Sequence, residues 1–109
     1  MAEEYKILGQ ISPPSASWAD LYTVPSSTQA VLSTISICNT TSASSSFQIA
    51  LRPNGDALDI KHYIAFNSAV PGYDTLFISI GATLGDTDVV SVYGLTASLA
   101  FQAFGTEIS

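Results

Sequence analysis

The sequence predicts an all-β protein: one antiparallel sandwich of about eight strands, with jelly-roll or immunoglobulin-like topology. Three observations lead there. β-Branched and aromatic stretches alternate with clusters of Pro, Gly, Ser and Asn along the whole chain, while helical spacing is almost absent. Several stretches place apolar residues at every second position, which is the signature of a strand buried on one face. The length of 109 residues allows one domain, taken as residues 1–109, with a core that needs neither disulfide nor metal.

The first strand is predicted over Tyr5 to Ile11, ended by Pro13-Pro14, which remove two ladder donors. Trp18 to Val24 follows and stops at Pro25-Ser26-Ser27. Ala30 to Asn39 is the longest stretch, with Val31, Ile35 and Ile37 assigned to one face and Leu32 and Cys38 to the other. After the small-residue turn Thr40 to Ser44, Phe47, Ile49 and Leu51 alternate cleanly with Gln48, Ala50 and Arg52. The turn Pro53-Asn54-Gly55-Asp56 carries an Asn-Gly pair suited to positive φ. Ala57 to Ile60 could form a helical turn, and Lys61 to Asn67 is read as the next strand, Tyr63 and Ala65 opposing Ile64 and Phe66. Pro71-Gly72 reverses the chain into Thr75 to Ile80, with Leu76, Ile78 and Ile80 on one side. Gly81 to Thr87 is expected as a loop, then Val89 to Gly94 and Ser98 to Ile108 as the last strands. In the latter, Leu99, Phe101 and Ala103 oppose Ala100, Gln102 and Phe104. No linker or repeat breaks the pattern.

Charge is scarce. Nine acids and three bases make 11% of the chain, less than half of the roughly 25% usual in soluble domains, while 47% is hydrophobic. Ser, Thr and Ala take the place of the ions. A neutral surface of this kind can be covered by another protein without stranding charges. The net charge of −6, with Lys6, Arg52 and Lys61 as the fixed cations, argues against nucleic acid and against anionic membrane. No apolar run approaches a membrane-spanning length. The acidic start, Met1-Ala2-Glu3-Glu4, differs from a signal peptide and leads us to expect no Sec export. Cys38 is the one cysteine, so no internal disulfide forms; its apolar surroundings predict a buried, inert thiol.

The inventory for catalysis is thin. His62 is the one histidine and falls within a predicted strand; no Gly-x-Ser-x-Gly elbow presents a serine to it. Ser79 or Ser91 with Asp88 could be imagined beside it, without a supporting motif. A single Cys and a single His fall short of a zinc site, and the loop acids Asp56, Asp59, Asp86 and Asp88 lack the spacing of a calcium loop. These acids and Asp74 are read as turn caps, although paired carboxylates could in principle cleave a glycosidic bond. Gly81 to Gly85 lacks the lysine and helix of a phosphate loop. No cofactor, no metal and no enzymatic activity are expected. Among the aromatics Trp18, Tyr5, Tyr22, Tyr63, Tyr73 and Tyr93, which could stack on sugars or bases, Tyr73 beside Pro71-Gly72 is the one expected on a loop.

Several stretches taken together resemble a known group. These are Tyr5-Lys6-Ile7-Leu8-Gly9-Gln10, Leu21-Tyr22-Thr23-Val24-Pro25, Ile35-Ser36-Ile37-Cys38-Asn39 and Phe47-Gln48-Ile49-Ala50-Leu51-Arg52-Pro53. Lys61-His62-Tyr63-Ile64, Thr87 to Tyr93 and Phe101 to Ile108 continue the likeness over nearly the whole chain. The chain resembles small β-rich structural proteins of tailed bacteriophages, including those of cyanobacterial phages. The resemblance implies a virion protein assembled in the host bacterial cytoplasm, and it carries no catalytic residue across. The leading expectation is a head decoration (cement) protein, trimeric, that binds the major capsid protein or another virion protein. A tail, baseplate or fibre component is the alternative, and a carbohydrate-binding host-adsorption module using Tyr73 is a third. Tyr5, Lys6, Ile7, Trp18, His62 and Tyr73 are the candidate binding or interface residues. The first strand, beside its proline break, is the expected docking or swapped element.

Overall fold

A computed structural model describes residues 3–109. Met1 and Ala2, read above as part of an acidic terminus, lie outside the described residues. The strands are β1 (Glu3–Ile11), β2 (Ser17–Thr23), β3 (Gln29–Asn39), β4 (Ser45–Arg52), β5 (Tyr63–Val70), β6 (Thr75–Leu84), β7 (Val89–Gly94) and β8 (Leu99–Ile108). Short 3-10 turns at Pro53–Gly55 and Ile60–His62 lie between β4 and β5.

Pairing is nested from the ends of the chain inward. β1 pairs with β8, β2 with β7, β3 with β6 and β4 with β5, all antiparallel. The resulting long hairpin is rolled so that β8 also meets β3 and β7 also meets β4. This gives two four-stranded sheets, β1-β8-β3-β6 and β2-β7-β4-β5. The protein is an eight-stranded β-sandwich with the connectivity of a jelly roll. An immunoglobulin-like sandwich keeps its first two strands side by side in one sheet; here β1 and β2 lie in opposite sheets, which excludes that topology.

The core lies between the sheets. Leu32, Ile35, Ile37, Leu99, Phe101 and Ala103 from one sheet meet Phe47, Ile49, Val90 and Val92 from the other, all essentially inaccessible to water. Phe47 and Phe101 meet edge to face across the middle, with centroids 6.2 Å apart. The alternation expected in β6 and β8 is found there: Leu76, Ile78 and Ile80 pack on the core, and β8 alternates buried with half-buried positions from Leu99 to Phe104. In β4 Phe47, Ile49 and Leu51 face the core as expected, but Ala50 on the other face is also fully buried.

In β3 the expected faces hold for Ile35, Ile37 and Cys38 and are exchanged for Val31 and Leu32. The register slips between Leu32 and Thr34 against both neighbours: β3 has one residue more than β8 there, and β6 has one more than β3, which turns the phase of the strand. Leu32 and Ile35 therefore share the inner face, and Val31 is half-buried instead of joining Ile35 and Ile37. Cys38 is half-buried rather than buried. β5 has the same property. Its pairing with β4 shifts register twice, and the shift between Tyr63 and Ala65 separates the two: Tyr63 stacks with Trp18 of β2, and Ala65 packs on the core.

Other boundaries moved for local reasons. β6 runs on through Leu84, and the predicted loop shrinks to the turn after it; Gly81, at φ +67, lets a bulged strand continue. Lys61 and His62 belong to the second 3-10 turn, not to a strand, because Asp59 caps it by accepting the Ile60 N–H at 2.7 Å. The helical turn expected over Ala57 to Ile60 is displaced to the flanking Pro53–Gly55 and Ile60–His62. Gly105 is required by packing: a Cβ there would lie 2.0 Å from the Val31 carbonyl oxygen.

Candidate functional site

The outward face of the β2-β7-β4-β5 sheet collects the aromatic side chains. Trp18 on β2 lies directly across from Tyr93 on β7, with ring centroids 5.6 Å apart. Trp18 also reaches Tyr63 of β5 at 5.9 Å, and Tyr63 meets Phe66 edge-on at 5.0 Å. The four rings span the sheet from one edge strand to the other. Trp18, Tyr63 and Tyr93 are half-buried, and Phe66 is exposed.

Beside Trp18 a polar network crosses three strands. Asp20, two residues along β2, accepts hydrogen bonds at Oδ1 from Arg52 Nη2 (3.1 Å) and Ser91 Oγ (3.0 Å). Arg52 Nε donates to Ser91 Oγ at 3.0 Å, and Nη1 reaches the carbonyls of Gly55 (3.3 Å) and Asp56 (2.8 Å). One guanidinium thereby ties the end of β4 to β2, to β7 and to the turn that follows it. That turn leads into a segment that brings Leu58 beside these residues. Trp18, Asp20, Arg52, Leu58 and Ser91 line a recess of about 310 Å³.

The side of the sandwich made by edge strands β5 and β6 differs from the rest in charge. From Tyr63 to Leu84, Asp74 in the connecting turn is the one charged residue. Ile64 (41%), Phe66 (60%) and Phe77 (70%) are exposed along it. The opposite side, β1 and β2, carries Glu3, Glu4, Lys6 and Asp20. There Tyr5 and Ile7 are exposed, and Lys6 is paired with Glu4 (3.1 Å) and Glu107 (2.7 Å).

The candidate residues therefore fall in separate places. Tyr5, Lys6 and Ile7 lie on the β1 edge and Trp18 on the outer sheet face. Tyr73 stands on the β5–β6 turn with φ +56 and 76% exposure. His62 is buried in the 3-10 turn, where Nδ1 accepts the Asp59 N–H at 3.0 Å. With Nδ1 so engaged, the neutral ring carries its proton on Nε2, and that N–H is buried without a partner among the described residues. Ser91, imagined as a partner for His62, is hydrogen-bonded to Asp20 and Arg52 instead.

Four of the five loop acids, Asp59, Asp74, Asp86 and Asp88, accept backbone N–H groups at turns, and Asp56 has no side-chain hydrogen bond among the described residues. Asp88 accepts the Asn54 N–H at Oδ1 (2.9 Å) and the Gly85 N–H at Oδ2 (2.8 Å), and Asp74 accepts from Thr75 N. Among the described residues no cluster of His, Cys, Asp or Glu could hold a metal ion.

Sequence reasoning noted Trp18, Tyr63 and Tyr93 singly and missed their assembly with Asp20, Arg52, Leu58, Phe66 and Ser91. Part of the signal was present: Trp18 and Asp20, Gln48 to Arg52, and Ser91 and Tyr93 each share a face by alternation. Which strands lie side by side was not available from alternation. Comparison with known proteins finds no matching family model, curated protein or solved structure.

Proposed function

We propose that the chain is a non-enzymatic structural protein of a tailed-phage virion, a head decoration (cement) protein that assembles as a trimer and clamps neighbouring capsid subunits. The observation that carries this reading is the neutral, apolar β5–β6 side. An exposed edge strand with free backbone N–H and C=O groups is ordinarily blunted by lysine, proline or a cover. β6, Thr-Leu-Phe-Ile-Ser-Ile-Gly-Ala-Thr-Leu, has no charge and no proline, and Phe77 projects from its centre. Such an edge suits burial against another protein, even when each copy carries a net charge of −6.

In this reading the β5–β6 side faces a neighbouring copy, and the β1 edge with Tyr5, Lys6 and Ile7 faces the capsid protein. The bacteriophage resemblance of the sequence supports the same role, and the short turns of the sandwich suit a rigid, repeated exterior part. The test is the mass of the purified protein in solution and its binding to capsids that lack it. A trimer that coats such capsids is expected, with Phe77→Lys yielding smaller species. A strictly monomeric protein that fails to bind capsids overturns the proposal. Immunolabelling that finds a few copies at the tail, instead of many over the head, would replace it with the tail alternative.

A further inference from the structure

We infer that the recess beside Trp18 is a binding site for a neutral pyranose, as a free sugar or as the terminal residue of a glycan. The recess combines two kinds of wall. Trp18 and Leu58 supply apolar surface, while Asp20, Arg52 and Ser91 supply a fixed array of donors and acceptors. Sugars present the same combination: a ring face of C–H groups and a rim of neighbouring hydroxyls. Few polar groups placed among aromatic and aliphatic ones are what orient a small ligand in a pocket.

The polar groups are already ordered. Asp20 Oδ1 is held by Arg52 and Ser91, yet the side chain remains 57% exposed, and among the described residues no donor reaches Oδ2. A carboxylate oxygen accepts from more than one donor, so Asp20 can receive a sugar hydroxyl without giving up its internal bonds. Arg52 is fixed by Ser91 and by the Gly55 and Asp56 carbonyls, so little side-chain entropy is lost when a ligand arrives.

Charge selects the ligand class. Asp20 and Arg52 cancel, which gives no preference for an anion or a cation. A stacked nucleotide or nucleic-acid base would bring phosphates to a chain with three fixed cations against nine acids. The volume of about 310 Å³ lies at the small end of ligand pockets, which points to one or two sugar rings. A single site of that size gives weak affinity, with Kd on the order of 1 mM. Many copies on one particle would raise the avidity; this last point alone rests on the proposed virion role. The site differs in place from Tyr73, which stands alone on its turn.

Trp18 is the one tryptophan, so its indole reports directly on the recess. The full chain, labelled with nitrogen-15, is titrated with neutral reducing sugars and with their methyl α- and β-pyranosides. The first arm represents free sugar and the second a glycan terminus. A saturable shift of the Trp18 indole N–H in either arm is expected, with preference between arms naming the source. Asp20→Asn should weaken that binding roughly tenfold while Tyr73→Ala leaves it unchanged. No saturable indole shift with any sugar overturns the inference, even if a variant fails to fold, because that reading uses the unaltered protein. Binding that is equally strong in folded Asp20→Asn also overturns it, as does a response to short peptides but to no sugar. The trimer and capsid assays are independent of all these outcomes.

Discussion

Glu107 joins three strands through one carboxylate. Lys6 of β1 donates to it at 2.7 Å, and the buried Tyr22 hydroxyl of β2 donates at 2.5 Å across the sandwich. The hydrogen bond from Lys6, then that from Tyr22, holds the Glu107 carboxyl below the ordinary carboxylate range. Burial first, and then the bond to Glu107, pushes the Tyr22 phenol above its ordinary value. The signs follow from which form the fold prefers. The Glu107 contribution is complete above its unfolded value of roughly 4.3 and is lost as pH falls through the lower folded value. The Tyr22 contribution is complete below roughly 10 and is lost as pH rises through the higher folded value. Thermal melts across pH should therefore show Glu107→Gln flattening the acid limb and Tyr22→Phe flattening the alkaline one. In the core, Phe101 is fully buried and edge-on to Phe47. Phe101→Ala should cost about 3–5 kcal/mol in denaturant unfolding, because the facing sheets cannot close over the lost ring.

Among the elements, the segment between β4 and β5 depends on distant groups for its shape. Its first turn places Asn54 at φ 53 and Gly55 at φ 69, and Asp88 and Arg52 hold it from outside. Its second turn is fixed by the reciprocal bonds of Asp59 and His62. Arg52→Ala removes the donors to the Gly55 and Asp56 carbonyls and leaves Asp20 without its cation. The expected result is faster amide exchange from Asn54 to His62, no change in β3 or β8, and a global loss of about 1 kcal/mol. Much of this scale was legible from the residues. Phe47, Ile49 and Leu51 announced the buried face of β4, and the Pro and Gly clusters announced most turns. The faces of Val31 and Leu32 were misread because the β3 bulge lies in Ser33-Thr34, two unremarkable strand formers, and a bulge is settled by pairing with two neighbours. His62 was misread as a strand residue because a cap needs only the local Asp59, which competes with strand propensity over the same residues.

For the molecule as a whole, the nested pairing makes the ends of the chain meet last in sequence and first in the sheet. Glu3 pairs with Ile108 and Gln10 with Gln102, while β4–β5 is the one pair joined by a connection between successive strands. Loop closure must precede most of the stabilising contacts, so folding should be slow for the size, in the millisecond-to-second range. Stopped-flow refolding monitored by Trp18 fluorescence measures this directly, and a microsecond phase that recovers the full signal would contradict it. The same topology makes the recess. Trp18 and Asp20 come from β2, Ser91 from β7 and Arg52 from β4, three strands that are neighbours in space and far apart in the chain.

By itself the sequence determined the class of fold, most of the strands and the buried faces of β4, β6 and β8. Those features are local: alternation records burial within a strand, and Pro, Gly and Asn record where the chain can turn. The tertiary structure alone decided the jelly-roll order over the immunoglobulin-like one, the turned phase of β3 and β5, and the meeting of Trp18 with Asp20, Arg52 and Ser91. Each of these depends on which strands exchange backbone hydrogen bonds. Every backbone offers the same donors and acceptors, so that choice is made by the packing of the whole sandwich and leaves no mark on any single stretch.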